Sequence, residues 1–531
     1  MKNLIFLSTI SLAAGCLLLI VGCLIRRRTP WTKLSVLRVV LTGFAVWNIV
    51  FVLFLWFNHV GFPLNLEIME GTILQHVRRA ISMAPIYPSP TPAYVPLSYN
   101  PLYYVMAVPF TWVFGASLST LRVLTIIGTI GSVVIIARVV RTKTGSAWWT
   151  LISVGLFAAS YHAMDHFFDV AHADMWMLFS VLLGTSIIAL RRSMAWNLLG
   201  VVILVAAFWF KQHGAWFAVG GVLYLTWREG LKRSVPYWVV AAGLGPVLYF
   251  VAGPALFGSD FVYFTWEMPR GWMELSLGTF RTFVGWVLKF SPLMSLSAAG
   301  YGAWVLLKRR EELDVWAVQF VPAVLCGALG ALDPGSSYNN LIPMGVWFIV
   351  FAVTCFAAIE QNVVRSSARS LVELVLAVSF GVLIYDPALV VVPSDSTRKY
   401  GELVEMLKRL PGPVYAPSIG ELQRDYTLFP TAHWVALEDM IRGPGKDTRN
   451  HPNTRRLLDP VIHPEGEAFI LAYFPLTYYP WLAFLDDCYV VEEDFGEYYS
   501  SLGVLRVRYE HGFPRYVYRF SPEKASAQGR E

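Results

Sequence analysis

About twelve apolar runs, some of them short of the roughly 20 residues that a helix needs to cross a lipid bilayer, constrain this chain more than anything else in it. They fall at about 4–25, 37–58, 120–140, 148–163, 173–190, 196–210, 214–227, 236–253, 285–307, 315–332, 341–359 and 371–392. Of the residues, 56% are hydrophobic and only 15% charged, which excludes an ordinary soluble domain and fits a polytopic membrane protein. The net charge of +6 is modest, and its placement matters more than its size; no nucleic-acid partner is expected. Cys16, Cys23, Cys326 and Cys355 lie inside apolar runs and Cys488 lies far from them, so no disulfide framework is announced. Neither CxxC nor HExxH occurs, and no internal repeat is visible.

Charge placement predicts the topology. The first run is followed, not preceded, by Arg26, Arg27 and Arg28, and no small-residue cleavage site stands before that cluster. It reads as an uncleaved anchor with its N-terminus outside. The other short basic loops then fall inside: Arg138/Arg141/Lys143, Arg191/Arg192, Arg228/Lys232/Arg233, Lys308/Arg309/Arg310 and Arg365/Arg369. This holds only if 102–116 (LYYVMAVPFTWVFGA), short and carrying Pro109, is an interfacial or re-entrant helix. As a span it would invert every later loop.

Under that topology the polar segments 59–101, Asp165 to Asp174, Lys211-Gln212-His213, 254–284 and Asp333 to Asn340 all gather on the outer face. After about Pro393 the spans stop, and a helical pattern at 396–410 precedes short apolar runs such as Ala468 to Tyr473. The expected architecture is mainly α: a polytopic membrane protein of about 12 transmembrane helices over 1–392, with an outer loop at 59–119. A small soluble extracytoplasmic α/β domain is expected over 393–531.

Several residues in those outer segments carry chemistry. Glu67 and Glu70, three apart at the start of a helical pattern, could serve as a general base or hold a divalent cation; the plainer reading is charges complementing a helix dipole. Arg78 and Arg79 could clamp a lipid phosphate or merely meet headgroups. Asp169, His172 and Asp174, with Asp165 and His166 before them, sit at the mouth of a span, where ionisable groups are costly unless paired or hydrated. Lys211 either snorkels to the interface or meets a lipid-linked phosphate, beside Gln212 and His213. Asn339 and Asn340 open a later span and could bond sugar hydroxyls or cap the helix. Tyr87 and Tyr99 stand in the Pro/Tyr run that follows the carboxylates.

The order of short motifs resembles a family. A carboxylate loop, then Pro85-Ile86-Tyr87, then Tyr99-Asn100-Pro101-Leu102-Tyr103 resembles the first outer loop of GT-C glycosyltransferases, the integral-membrane enzymes related to protein O-mannosyltransferases and aminoarabinose transferases. FFDVAHAD (Phe167 to Asp174), WFKQHG (Trp209 to Gly214) and SYNNLIP (Ser337 to Pro343) are similar to segments of a bacterial branch of that superfamily. Met69-Glu70 stands where that pattern has adjacent acids, which makes Glu70 the better match to the catalytic acid and Glu67 the second choice.

The resemblance, over roughly 60–395, implies an inverting membrane glycosyltransferase in a bacterial inner membrane. It would move a hexosyl or pentosyl unit from a polyprenyl-phosphate donor to an acceptor outside the cytoplasm. Glu70 or Glu67 would act on the acceptor hydroxyl with Asp169 in support, while Arg78, Arg79, Tyr87, Tyr99, His172, Asp174, Lys211, Gln212, His213, Asn339 and Asn340 would bind substrate. A divalent cation (Mg or Mn) would sit at Glu70 and Asp169. No nucleotide cofactor is expected, since no glycine-rich fingerprint follows a strand. A transporter or flippase of lipid-linked glycan is the alternative, although its ionisable residues would be expected nearer mid-membrane. A non-catalytic membrane scaffold is a third reading, disfavoured by the outer carboxylates.

Overall fold

The computed structural model describes residues 30–308, 313–362, 366–422, 431–443, 445–449, 451–503 and 512–528. The expected anchor at 4–25, its arginine cluster, and Arg309, Arg310 and Arg365 lie outside the described residues.

The longer helices run in chain order as α1 (Pro30–Val60), α2 (Glu70–Ile81), α3 (Leu102–Phe114), α4 (Leu118–Thr144), α5 (Ala147–Ala159), α6 (Asp174–Leu190), α7 (Met194–Phe210) and α8 (Ala215–Glu229). They continue as α9 (Leu231–Phe257), α10 (Leu277–Phe290), α11 (Pro292–Lys308), α12 (Val315–Ala331), α13 (Ile342–Asn362), α14 (Ser366–Val382), α15 (Ser396–Lys408) and α16 (Trp434–Ile441). Local chemistry sets several boundaries. The Ser117 hydroxyl accepts from Thr120 N at 3.2 Å to start α4, and Gly145, at φ 68°, ends it in the left-handed conformation that glycine tolerates. Asp314 starts α12 by accepting from Ala317 N at 2.9 Å.

Among the described residues, four helical segments are long and apolar enough to cross a membrane: Val36–Val60, Leu118–Thr144, Leu231–Phe257 and Tyr338–Asn362. Shorter apolar helices, among them α5, α6, α7 and α12, surround them. The expected run 285–307 is not one span: α10 and α11 meet at a 103° bend. Ser291, just before Pro292, is extended at φ 165°, because a proline ring crowds the helical conformation of the residue it follows. The expected run 371–392 also ends early, with α14 stopping at Val382. The core is centred on α13, whose residues from Ile342 to Val353 are all buried, with α11, α12 and α5 packed on it. Isolated apolar side chains such as Phe57, Val134 and Val251 point outward, as they do on helices that face lipid.

The helix α3 has 13 residues, roughly 20 Å at 1.5 Å per residue, against a hydrocarbon core of roughly 30 Å. Just before it, Asn100 Nδ2 bonds the carbonyl of Phe208, near the end of α7. Just after it, in the second turn of α4, Arg122 reaches Glu70. The helix therefore leaves and rejoins the same end of the bundle.

Beyond α14 the chain forms α15 and a four-stranded sheet of β1 (Val414–Tyr415), β2 (Phe469–Ala472), β3 (Tyr489–Asp494) and β4 (Tyr516–Phe520), in the order β1-β2-β4-β3. The β1–β2 pair is parallel and the other pairs are antiparallel, with a register shift between Val491 and Glu493. This C-terminal region docks on α2 backbone to backbone. A side chain at Gly71 would collide with the carbonyl of Ile419, and one at Gly420 (φ +77°) would lie 2.7 Å from Thr72 N. Asn65 and Gln75 fasten the contact by donating to the carbonyls of Ile419 (3.0 Å) and Gly420 (2.9 Å).

Candidate active site

The two carboxylates of the outer loop have opposite surroundings. Glu70 opens α2 and is fully buried. Its Oε1 accepts from Arg122 Nε at 3.0 Å and from Ala171 N at 2.7 Å, while Oε2 accepts from Arg122 Nη2 at 2.5 Å and Leu66 N at 2.7 Å. Arg122 spends its remaining donors on the carbonyls of His59, Phe62 and Leu64. The pair is a staple for the loop 59–70. Glu67, 1% exposed, accepts from Met69 N at 2.9 Å on Oε2, and its Oε1 has no partner among the described residues. Burial holds its carboxyl well above the ordinary carboxylate range; the Met69 N–H opposes this, and the charges of Glu70, Asp174 and Asp165 add to it.

The segment between α5 and α6 is likewise split. Asp169 accepts from Tyr161 Oη at 2.8 Å and pairs with His59 Nδ1 at 2.8 Å, and His59 Nε2 bonds the carbonyl of Val390 at 2.6 Å. Asp165, at φ 54°, takes the hydroxyl of Ser337 and the N–H of Tyr338 (2.8 Å), which ties this segment to the turn before α13. Asp174 is the hub of a polar cluster: Lys211 Nζ at 2.7 Å on Oδ1, Asn339 Nδ2 at 3.3 Å on Oδ2, and His172 Nδ1 against the same oxygen.

A cavity of about 380 Å³ opens where these segments meet. Glu67, Tyr99, Lys211, Gln212, His213, Asn339 and Asn340 line it, together with Trp272 and with Trp434, Glu438, Asp439 and Arg442 at α16. Gln212 is fixed by donating to the carbonyls of Ser98 (2.6 Å) and Thr265 (2.8 Å). Tyr99 packs edge-on to His172 with ring centres 4.6 Å apart. Burial, and then the Lys211 cation, lower the His213 imidazole to about 4. Across the cavity Arg442 bonds Asp333 (2.5 and 3.1 Å) and Asp439 (2.8 Å), and lies 3.7 Å from the Trp272 ring centre. Burial raises the Asp439 carboxyl to about 6 against the pull of Arg442.

Seven of the residues picked out from the sequence therefore share this cavity. His172 and Asp174 are not among the lining residues; Asp174 is held to Lys211 and Asn339, and His172 to Asp174. Glu70 and Asp169 are outside the lining, each hydrogen-bonded through both carboxylate oxygens. Arg78 pairs with Glu421 of the C-terminal region, and Arg79 bonds the carbonyl of Pro85 (2.7 Å) and lies over Tyr94. Tyr87 bonds the carbonyl of Tyr99, so it shapes the loop.

Glu70 already accepts from Arg122, and Asp169 from Tyr161 with His59 against its other oxygen. Among the described residues no group of three or more His, Cys, Asp or Glu gathers as a metal site. Sequence reading passed over His59, Arg122 and the residues at α16. An arginine one turn into an apolar helix was the available signal for Arg122.

No family model matches this chain, and no curated protein matches it either. A crystal structure of ArnT from Cupriavidus metallidurans in the apo state does, with a TM-score of 0.50 at 12% identity, over 91% of this chain and 99% of that one. The chain has the fold of that ArnT. The structure of that ArnT bound to undecaprenyl phosphate gives a TM-score of 0.48 at 13% identity, with the same coverage of each chain. Within that fold, the loop carrying Glu67, the turn after α7, the turn before α13 and the α16 region all supply polar groups to the cavity.

Proposed function

We propose that this protein is a multi-pass membrane glycosyltransferase that moves a sugar, with inversion, from a polyprenyl-phosphate carrier to an acceptor hydroxyl outside the cytoplasm. The observation that carries the reading is Glu67: a buried carboxylate whose Oε1 has no partner among the described residues, in a cavity that also holds a cation and several amides. A carboxyl raised toward the working pH is a better base than an ordinary one, because it binds the proton it must abstract more firmly. The acceptor hydroxyl gives its proton to Glu67 while its oxygen bonds the anomeric carbon. The bond from that carbon to the phosphate oxygen breaks, and its electron pair leaves with the phosphate. Lys211, held by Asp174, is in position to meet that charge. Asn339 and Gln212 orient hydroxyls. Glu67 thus takes the role for which the family pattern favoured Glu70, and Glu70 holds the loop. Support for the donor class comes from the ordered motifs and the GT-C fold, and support for the outward face from the basic loops.

The test is sugar release and transfer by purified protein supplied with radiolabelled polyprenyl-phosphate sugars and cell-envelope acceptors. Glu67→Gln is expected to lower turnover by about 10²–10⁴-fold with donor binding retained. Wild-type turnover in that variant would remove Glu67 from the chemistry.

A further inference from the structure

Lys211 does not have Asp174 to itself. The carboxylate that opens α6 divides its two oxygens: Oδ1 takes Lys211 Nζ at 2.7 Å, while Oδ2 takes His172 Nδ1 and, more loosely, Asn339 Nδ2 at 3.3 Å. The three partners come from the segment before α6, the turn after α7 and the turn before α13. Lys211 and Asn339 line the cavity; His172, 1% exposed, does not. Its imidazole is set from several sides. Tyr99 and Phe167 pack edge-on to it with ring centres 4.6 and 5.0 Å away, and Thr125 of α4 bonds its backbone carbonyl at 3.3 Å. Neighbours that take no part in the ion pair thus aim the ring at Asp174.

A carboxylate beside a lysine works against any anion that the lysine is to meet. Its charge repels the anion, and it draws the ammonium toward itself. A hydrogen bond to the oxygen that the lysine leaves free lessens both effects, because it pulls charge to that oxygen and fixes the carboxylate plane. Imidazole does this from Nδ1, which carries a hydrogen where it lies against a carboxylate oxygen. Asn339 is farther from the same oxygen than a charge-assisted bond usually reaches, so it does not replace His172.

We propose that His172 is a positioning residue for phosphate: by holding Asp174 through Oδ2, it leaves the Lys211 charge open to the phosphate group of a polyprenyl lipid in the cavity. This rests on the reading of Lys211 as the group that meets the donor phosphate. His172 acts on the phosphate through Asp174 and Lys211.

The experiment uses the full chain in lipid nanodiscs, with farnesyl phosphate, farnesol and inorganic phosphate as probes. Binding is read by titration calorimetry against empty nanodiscs. Wild type should bind farnesyl phosphate more tightly than either farnesol or inorganic phosphate. His172→Phe keeps an aromatic ring against Tyr99 and Phe167 but has no donor. It should cut the preference for the phosphate over the alcohol about tenfold, the loss of one charge-assisted hydrogen bond, with farnesol binding unchanged. His172→Leu, which also lacks a donor, serves where the phenylalanine variant fails to fold. His172→Asn, whose amide donates from nearly the Nδ1 position, should restore most of the preference. In Lys211→Met the preference should vanish, and adding His172→Phe should change nothing further. Other charges around the cavity are common to all these proteins and cancel in the comparison. Equal weakening of phosphate and alcohol in His172→Phe, no change in that variant, or additive losses in the double variant would overturn the proposal. Equal binding of inorganic and farnesyl phosphate would assign the site to free phosphate and overturn its lipid source. If the preference depends on Lys211 but not on His172, the positioning role fails and the transferase reading stands. If wild type shows no preference for the phosphate, Lys211 meets none and both fail.

Discussion

Glu67 and Glu70 are three residues apart, and what separates their roles is not on their own stretch of chain. Glu70 meets Arg122, 52 positions away, and Ala171 N, 101 positions away. Nothing in the local pattern reports such partners, so the sequence singled out the loop and ranked its two acids by motif alone. The consequences are separable by measurement. Glu70→Gln or Arg122→Met leaves the other member of a buried ion pair uncompensated, which costs about 3–5 kcal/mol. Both variants should show a clearly lowered melting temperature, and the double variant should lose less than the sum of the two. Glu67 behaves otherwise. Its folded-state pKa is raised by burial, so the folded protein holds a proton that the unfolded chain has released. The stability this gives is full below the model-peptide value of 4.5 and is lost as pH rises through the folded pKa. Wild type should therefore lose melting temperature relative to Glu67→Gln across that window. Turnover should do the reverse and rise with pH, its acid limb lying above 4.5, because the base works only when deprotonated.

At the scale of elements, apolar runs were legible and their breaks were not. The run 285–307 looked continuous because composition does not change across Ser291, and the proline that bends it was the only local signal. The C-terminal region offered still less. Its helix α16 is eight residues long and has no distinctive motif, yet it supplies part of the cavity wall. What brings it there is the glycine contact between α2 and the 416–420 turn. A methyl group at Gly71 meets the carbonyl of Ile419, which is backbone and cannot rotate away. Gly71→Ala should force the turn off α2 at a cost of about 1–3 kcal/mol. Because that displacement moves α16 relative to Glu67, transfer should fall by more than the melting temperature alone explains. An alanine variant with native transfer would mean that the C-terminal region contributes nothing to the site.

The whole molecule returns to charge. Counted along the described helices, α4 leaves the cavity end at Leu118 and reaches Arg141 and Lys143 at the other, and α6 leaves at Asp174 and reaches Arg191. Helix α7 returns to Lys211, and α8 carries the chain away again to Arg228. The basic loops thus collect opposite the cavity, as they must if α3 does not cross. The proposed orientation, with the basic loops inside, would turn the cavity and the C-terminal region outward. This is testable with single cysteines placed in a variant free of the native ones. Glu465→Cys, exposed in the C-terminal region, should react with a membrane-impermeant maleimide in intact cells or spheroplasts. Arg192→Cys and Lys232→Cys, exposed at the opposite end, should react only after the membrane is permeabilised. The reverse pattern would turn the cavity to the cytoplasm. There nucleotide sugars are available as donors, and a polyprenyl-phosphate donor would lose the argument from orientation that now supports it.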